Sequence, residues 1–481
     1  MLWGFDAMVF SSLIFLFLFL PICLAVYCCV RGTKARNVVL VLFSLAFYAW
    51  GEPVYVLLLI ASASFNYGMG RWMGRWEGRS KGKRWLLALS VAVNLAALAV
   101  FKYAGLFVET FNQLTGLGVP VPQISLPIGI SFYTFQALSY VVDVYRGQVK
   151  VQRSWLRFLL YISLFPQLIA GPIVRYADIE AQLEERHSSR EDVFYGLLRF
   201  CTGLGKKILI ADYAYGVCAQ LLDGSLASAT TVGTWLGVLM FAFQIYFDFS
   251  GYSDMAIGLG RMFGFKYNEN FNLPYMSKSI TEFWRRWHIS LGSFFRDYVY
   301  IPMGGNRRHR WLNLLVTWAL TGLWHGASWN FLLWGLYFFV LLAIEKPLLP
   351  HVRNTPKLLR QLVTMILVVI GWTIFYFTDF GRLGQAFQAM FGMAGGGLIS
   401  GQVRIMLVNN LPLLLVCILG ASPLPRVIGD WFGMLCAGEN QGGWKQKTYV
   451  IVCFVYCAAL LALSTVSLVG SGFSAFLYYR F

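Results

Sequence analysis

The chain has 481 residues, of which 58% are hydrophobic and only 13% charged, with a formal net charge of +17. A soluble globular chain is nearer a quarter charged, and here apolar stretches of about 20 residues, long enough to cross a bilayer, recur from end to end. An ordinary soluble enzyme is therefore excluded, and a one-domain-per-150-residues count does not apply. The basic residues lie in short loops between apolar segments, which suits the positive-inside rule and anionic lipid headgroups rather than nucleic acid.

Apolar segments fall near residues 9–30, 38–50, 53–69, 85–103, 125–143, 155–171, 192–220, 231–249, 312–325, 328–345, 360–378, 404–420 and 447–470. Some are too short to span alone, so about ten to twelve crossings are expected. No basic residue precedes the first segment, which is too long for an ordinary signal-peptide core, so it reads as a membrane span. Arg31, Lys34 and Arg36 form one basic loop. Arg71, Arg75, Arg79, Lys81, Lys83 and Arg84 form the strongest, and Arg146, Lys150, Arg153 and Arg157 another. Loop 104–124 carries only Glu109 as a charge. Basic loops in the cytoplasm then put the N-terminus outside, a scheme consistent up to residue 157.

No repeat or low-complexity tract is visible. The longest polar interval, near 175–191, is too short to fold independently, and residues 421–446 form a loop rich in Gly and Pro. The expectation is one membrane-embedded, all-α domain over 1–481. Aromatic residues make up 17% of the chain, and Gly occurs 47 times. Both suit interfacial belts and closely packed membrane helices. The nine Cys are Cys23, Cys28, Cys29, Cys201, Cys218, Cys417, Cys436, Cys453 and Cys457. They read as small apolar residues, not as a disulfide framework or a metal site.

From Phe241 to Asn330 polar residues interrupt apolar sequence instead of keeping to loops. Polar groups at membrane depth are costly and so point to function or to partners. Of five histidines, His187, His309 and His351 lie in charged or Pro-rich loops and read as surface residues. His325 sits in Thr321-Gly322-Leu323-Trp324-His325-Gly326-Ala327, between two strongly apolar segments. The glycines allow a close backbone approach or a helix break. The imidazole suits proton transfer near neutral pH, and the alternative is a packing histidine bonded to a neighbouring helix.

His288 lies in a stretch, 282–300, with helical period. Trp284, Trp287, Leu291, Phe294 and Tyr298 share a face, and Arg285, Gly292 and Arg296 flank His288. One amphipathic helix is expected, and an interfacial basic edge on lipid headgroups is the competing reading. Asp248, Ser250, Tyr252, Ser253 and Asp254 follow an apolar run directly. They suggest a polar cavity or a short helix that enters the membrane and turns back. The six-residue spacing of Asp248 and Asp254 does not make them a pair, and Ser250 or Ser253 reads equally well as a helix cap. There is no phosphate loop and no HExxH zinc signature.

Three runs resemble the membrane-bound O-acyltransferase family: Asp248-Phe249-Ser250-Gly251-Tyr252-Ser253-Asp254-Met255-Ala256, Phe283-Trp284-Arg285-Arg286-Trp287-His288-Ile289-Ser290 and Gly322-Leu323-Trp324-His325-Gly326. Phe165-Pro166-Gln167-Leu168-Ile169-Ala170-Gly171-Pro172 resembles the family's pre-core motif. The core motifs thus span 165–345, with more variable helices at 346–481. Within the family the chain is similar to the bacterial branch that O-acetylates exopolysaccharides such as alginate, and to the teichoic-acid D-alanylation proteins.

The resemblance implies a helical ring around a central funnel or tunnel, with short or re-entrant helices. It implies a multi-pass protein of the bacterial inner membrane. His325 matches the principal catalytic histidine, and His288 the second site residue, often Asn in other branches. Arg285, Arg286, Asp248, Tyr252, Ser253 and Trp324 are the candidate substrate-binding residues. The implied chemistry is acyl transfer with no bound cofactor and no metal. Acetyl-CoA, another acyl thioester or an acyl carrier is the implied cytoplasmic donor. His325 acts as base on a hydroxyl, and His288 or Arg285 donates to the oxyanion. Extracytoplasmic acetyl-relay proteins and a polysaccharide acceptor are the implied partners. D-alanyl transfer, and a transporter that moves an acyl carrier or polymer without chemistry, are the alternatives.

Overall fold

The computed structural model describes residues 8–471, apart from 77, 79, 170, 349, 353 and 437–442. Arg79, Ala170 and the side chain of Cys436 lie outside the described residues. Each of the apolar segments named above is helical, and among the described residues there is no strand.

Five helices are long and apolar enough to cross a membrane: Lys81–Thr115, Thr231–Met262, Trp329–Leu348, Lys357–Tyr376 and Trp444–Gly470. The helices Gly401–Asn409 and Leu411–Gly420 pass together as a sixth, bent by 54°. The other apolar segments form helices that are shorter or more polar. Thr33–Gly51, Tyr55–Met73 and Ile130–Arg146 bury Asn37, Asn66, Gln136 and Asp143 along their lengths. This is a multi-pass membrane protein.

The chain divides into two compact units, one of residues 8–200 with 252–268, the other of 201–251 with 269–471. Sequence gives no sign of the division, because two of its boundaries fall inside the continuous helices Arg190–Gly205 and Thr231–Met262.

The first unit is held partly by polar groups inside its helices. Asn66 and Asn94 exchange amide hydrogen bonds of 3.1 and 2.8 Å, and the Ser90 hydroxyl donates to Asn66 at 3.1 Å. Such mutual satisfaction binds apolar helices where water is absent. The buried Arg186 guanidinium donates to Asn37 Oδ1, the Phe263 carbonyl and the Tyr27 hydroxyl, and lies 4.4 Å over the Phe265 ring. Gly196 and Gly258 let the helices Arg190–Gly205 and Thr231–Met262 touch within this unit. A Cβ on Gly258 would sit 2.5 Å from the Gly196 carbonyl oxygen.

In the second unit the tightest pair is Arg310–His325 against Trp329–Leu348. A Cβ on Gly322 would run into the Phe331 carbonyl, and one on Gly335 into that of Trp318. Asn330, fully buried, donates from its amide to the Ile374 and Phe375 carbonyls at 3.1 and 3.3 Å, fixing the start of one helix on the end of Lys357–Tyr376.

Residues 104–115 and 424–436, expected in loops, are helical, and two further expectations are corrected. The Asp248 segment is not a short helix that turns back, and Ser250 and Ser253 cap nothing. All lie within the uninterrupted 32-residue helix Thr231–Met262. The stretch 282–300 is not one amphipathic helix. Ile280–Arg286 and Ile289–Phe295 are separate, because Trp287 is extended and His288 takes a left-handed backbone at φ 45°. Loop bonds replace the helical ones here: Ile289 N–H donates to the Asn270 carbonyl at 3.0 Å.

Candidate active site

The helix Ile280–Arg286 sets up the His288 segment, and its first amide groups are all accounted for. Glu345 accepts from the N–H groups of Ile280 and Thr281, Ser279 Oγ accepts from Glu282 N–H at 3.0 Å, and the Ser279 carbonyl accepts from Phe283 N–H at 2.9 Å. Carboxylates there also complement the helix dipole. Trp287 is buried among Tyr246, Phe271, Phe283 and Trp372. The chain then turns sharply and places His288, 1% exposed, inside the unit.

His288 Nδ1 lies 3.1 Å from Asn270 Oδ1. Its ring meets Phe249 edge-on at 4.6 Å and Trp324 at 5.8 Å. His288 lies outside the long apolar helices, and burial pushes its imidazole below the ordinary value. A buried charge is disfavoured, which favours the neutral ring.

His325 is the last residue of Arg310–His325, and the chain leaves the helix at the extended Gly326. Both possibilities offered by the flanking glycines occur, with Gly322 at a close approach and Gly326 at the break. His325 is 3% exposed. Its ring packs against Trp324 at 5.0 Å, Trp334 at 4.9 Å and Phe375 at 5.2 Å, all near-perpendicular. The two histidines therefore touch one indole, that of Trp324, in an aromatic wall built by four helices.

The other predicted site residues have surroundings of their own. Arg285 is exposed, and Arg286 pairs with Glu282 at 2.7 Å, one turn away. Asp248 is buried in the second unit, in an ion pair of 2.9 Å with Lys207, which also meets Asp212 at 2.6 Å. Ser253 is buried in the first unit, where Tyr252 stacks on Phe10 at 4.6 Å and Asp254 pairs with Arg199 at 2.8 Å. The structure thus joins His288, Trp324 and His325, and gives Asp248, Tyr252 and Arg286 other partners. His187, His309 and His351 are exposed, as expected of surface residues. The described cysteines are free thiols, and no cluster able to hold a metal occurs among the described residues.

Sequence reasoning missed Asn270, Lys207, Trp334 and Phe375. Lys207 carried a signal, since a lysine within an apolar segment needs a partner. Asn270 carried a weaker one, in the alternation of Asn268, Asn270 and Asn272. The two aromatic residues are indistinguishable from packing residues until the fold is known.

Residues 148–382 match the model of the family described as membrane-bound O-acyltransferase. A probable alginate O-acetylase of Azotobacter vinelandii is 39% identical over 510 residues, covering 98% of this chain and all of the relative. A peptidoglycan O-acetyltransferase of Helicobacter pylori is 33% identical over 433 residues, 81% of each chain. A teichoic acid D-alanyltransferase of Bacillus subtilis is more distant, at 30% over 270 residues, 52% of this chain and 68% of the relative. This chain is an acyltransferase and belongs to the membrane-bound O-acyltransferase family.

Proposed function

We propose that the protein transfers acetyl groups from a cytoplasmic acyl thioester, such as acetyl-CoA or an acyl carrier, for O-acetylation of a polysaccharide outside the bacterial inner membrane. The observation that carries this reading is the pair of buried imidazoles on one indole, His288 and His325 against Trp324. The full-length similarity to alginate-type relatives favours acetyl over D-alanyl transfer. The acceptor hydroxyl belongs to the polymer or to an extracytoplasmic partner that relays the acetyl group onward.

In this reading His325 takes the proton of the acceptor hydroxyl as its oxygen attacks the thioester carbonyl. The tetrahedral intermediate collapses, the carbon–sulfur bond breaks, and the imidazolium returns the proton to the thiolate. The products are an ester and a thiol. The oxyanion needs a donor. Trp334 supports that role: its indole lies edge-on to His325, and its Nε1–H is buried and meets no acceptor among the described residues. The aromatic wall keeps water from the thioester, which favours transfer over hydrolysis.

The test is His325→Ala in the native host, with polymer-bound acetyl measured at matched protein level. Acetylation is expected to fall by about two to four orders of magnitude, the usual contribution of a general base. Undiminished acetylation would remove His325 from the chemistry.

A further inference from the structure

Asn270 is 1% exposed and lies in the loop that follows the helix Thr231–Met262. Its Oδ1 accepts from Ser290 N–H at 3.2 Å and from Ser290 Oγ at 2.9 Å. A backbone N–H only donates, so the amide atom facing Ser290 is the oxygen and not the nitrogen. The same oxygen lies 3.1 Å from His288 Nδ1. Two acceptors do not hydrogen-bond, so Nδ1 carries the hydrogen. Ser290 Oγ is farther from Nδ1, at 3.4 Å, and its single proton is directed to Asn270. In a neutral imidazole the other nitrogen, Nε2, then holds the lone pair.

From this geometry we infer that Asn270 is a positioning residue that locks His288 as its Nδ1–H tautomer, so that Nε2 faces the substrate as a hydrogen-bond acceptor. The inference rests on the acyltransferase reading. It changes the role expected of His288, because a neutral ring in this tautomer has no Nε2 proton to offer an oxyanion. Its partner is an O–H or N–H of the acceptor or the thioester donor. Asn270 also fixes the ring's place, since its carbonyl holds Ile289 N–H at 3.0 Å and so stabilises the left-handed turn at His288.

Phe249, Trp324, Asn270 and Ser290 face His288, and these four are uncharged. Asp248, beside Phe249, is paired with Lys207, Glu269 beside Asn270 is exposed, and Arg286 is paired with Glu282. His325 touches the far partner, Trp324. A carboxylate at position 270 would thus add a charge beside the Nδ1 side of the ring.

The experiment uses the purified full-length protein with 15N-labelled histidine rings, and His288→Asn identifies the His288 signals. In the wild type the proton is expected on Nδ1. Asn270→Ala is expected to let the Nε2–H form appear and to raise KM for the acceptor about tenfold more than it lowers kcat. Asn270→Asp is expected to restore the Nδ1–H form. It also adds charge, so the acidic limb of the KM–pH profile moves up by about one unit or more. An Nε2–H ring in the wild type overturns the inference, with or without a foldable variant, and so does an unchanged tautomer in Asn270→Ala. The ring spectrum does not depend on turnover. A protein with the Nδ1–H ring but no transfer activity would refute the acyltransferase reading and leave the tautomer assignment standing.

Discussion

The two histidine segments hold the same side chain by different physics. His325 ends a regular helix, and its place is set by packing: the glycine contact that draws Arg310–His325 onto Trp329–Leu348, and rings on three sides. His288 sits at a break with a left-handed backbone, and its place is set by hydrogen bonds from a loop. Packing fixes position but leaves the orientation of a ring's nitrogens to other contacts. Hydrogen bonding fixes both. Steric changes should therefore damage the His325 side most, and backbone or polar changes the His288 side.

The largest expected effect tests the packing half of that contrast. Gly322→Val would place its Cβ against the Phe331 carbonyl, backbone that has no rotamer to yield. The helix pair would have to part, at a cost of about 3 kcal/mol or more. Unfolding temperature and recovered yield in detergent measure it. A variant as stable as the wild type would show that this close approach does not hold His325 in place.

The next effect tests the backbone half. At φ 45°, a β-branched residue is strained, whereas Asn adopts this region readily. His288→Val is therefore expected to lose about 1–3 kcal/mol of stability. His288→Asn keeps the turn and is expected to lose clearly less stability than His288→Val, while transfer activity falls. Equal stability losses in the two variants would mean that the turn is not what selects the residue.

The contrast also explains what was legible in the sequence. The apolar runs marked every helix they fell on, because burial in lipid demands both an apolar surface and a satisfied backbone. The Gly-Leu-Trp-His-Gly run marked the His325 side, where local sequence carries the geometry. The break at His288 was not legible. The helical period of Trp284, Trp287 and Leu291 continues through it, and the loop bonds that interrupt the helix come from Asn270, eighteen residues earlier. The spacing of the two aspartates was legible: six residues do not make a pair, and none forms. Asp248 and Asp254 are about 120° apart around one helix at 100° per residue. One therefore meets Lys207 in the second unit, and the other Arg199 in the first.

The smallest expected effect concerns the support beneath His288. Ser279 caps the helix Ile280–Arg286 by accepting from Glu282 N–H at 3.0 Å. Removing a cap of this kind costs about 1 kcal/mol. In a seven-residue helix that loss is not spread over many turns, and the C-terminal end of this helix delivers Trp287 and His288. Ser279→Ala should thus lower the unfolding temperature slightly and loosen the His288 turn, seen as faster amide exchange at Ile289, whose N–H is bonded to Asn270. Exchange at Asn330, whose helix carries the His325 wall, should not change. Faster exchange on both sides would mean that the two histidines share one support, and that the division between a packed histidine and a hydrogen-bonded one fails.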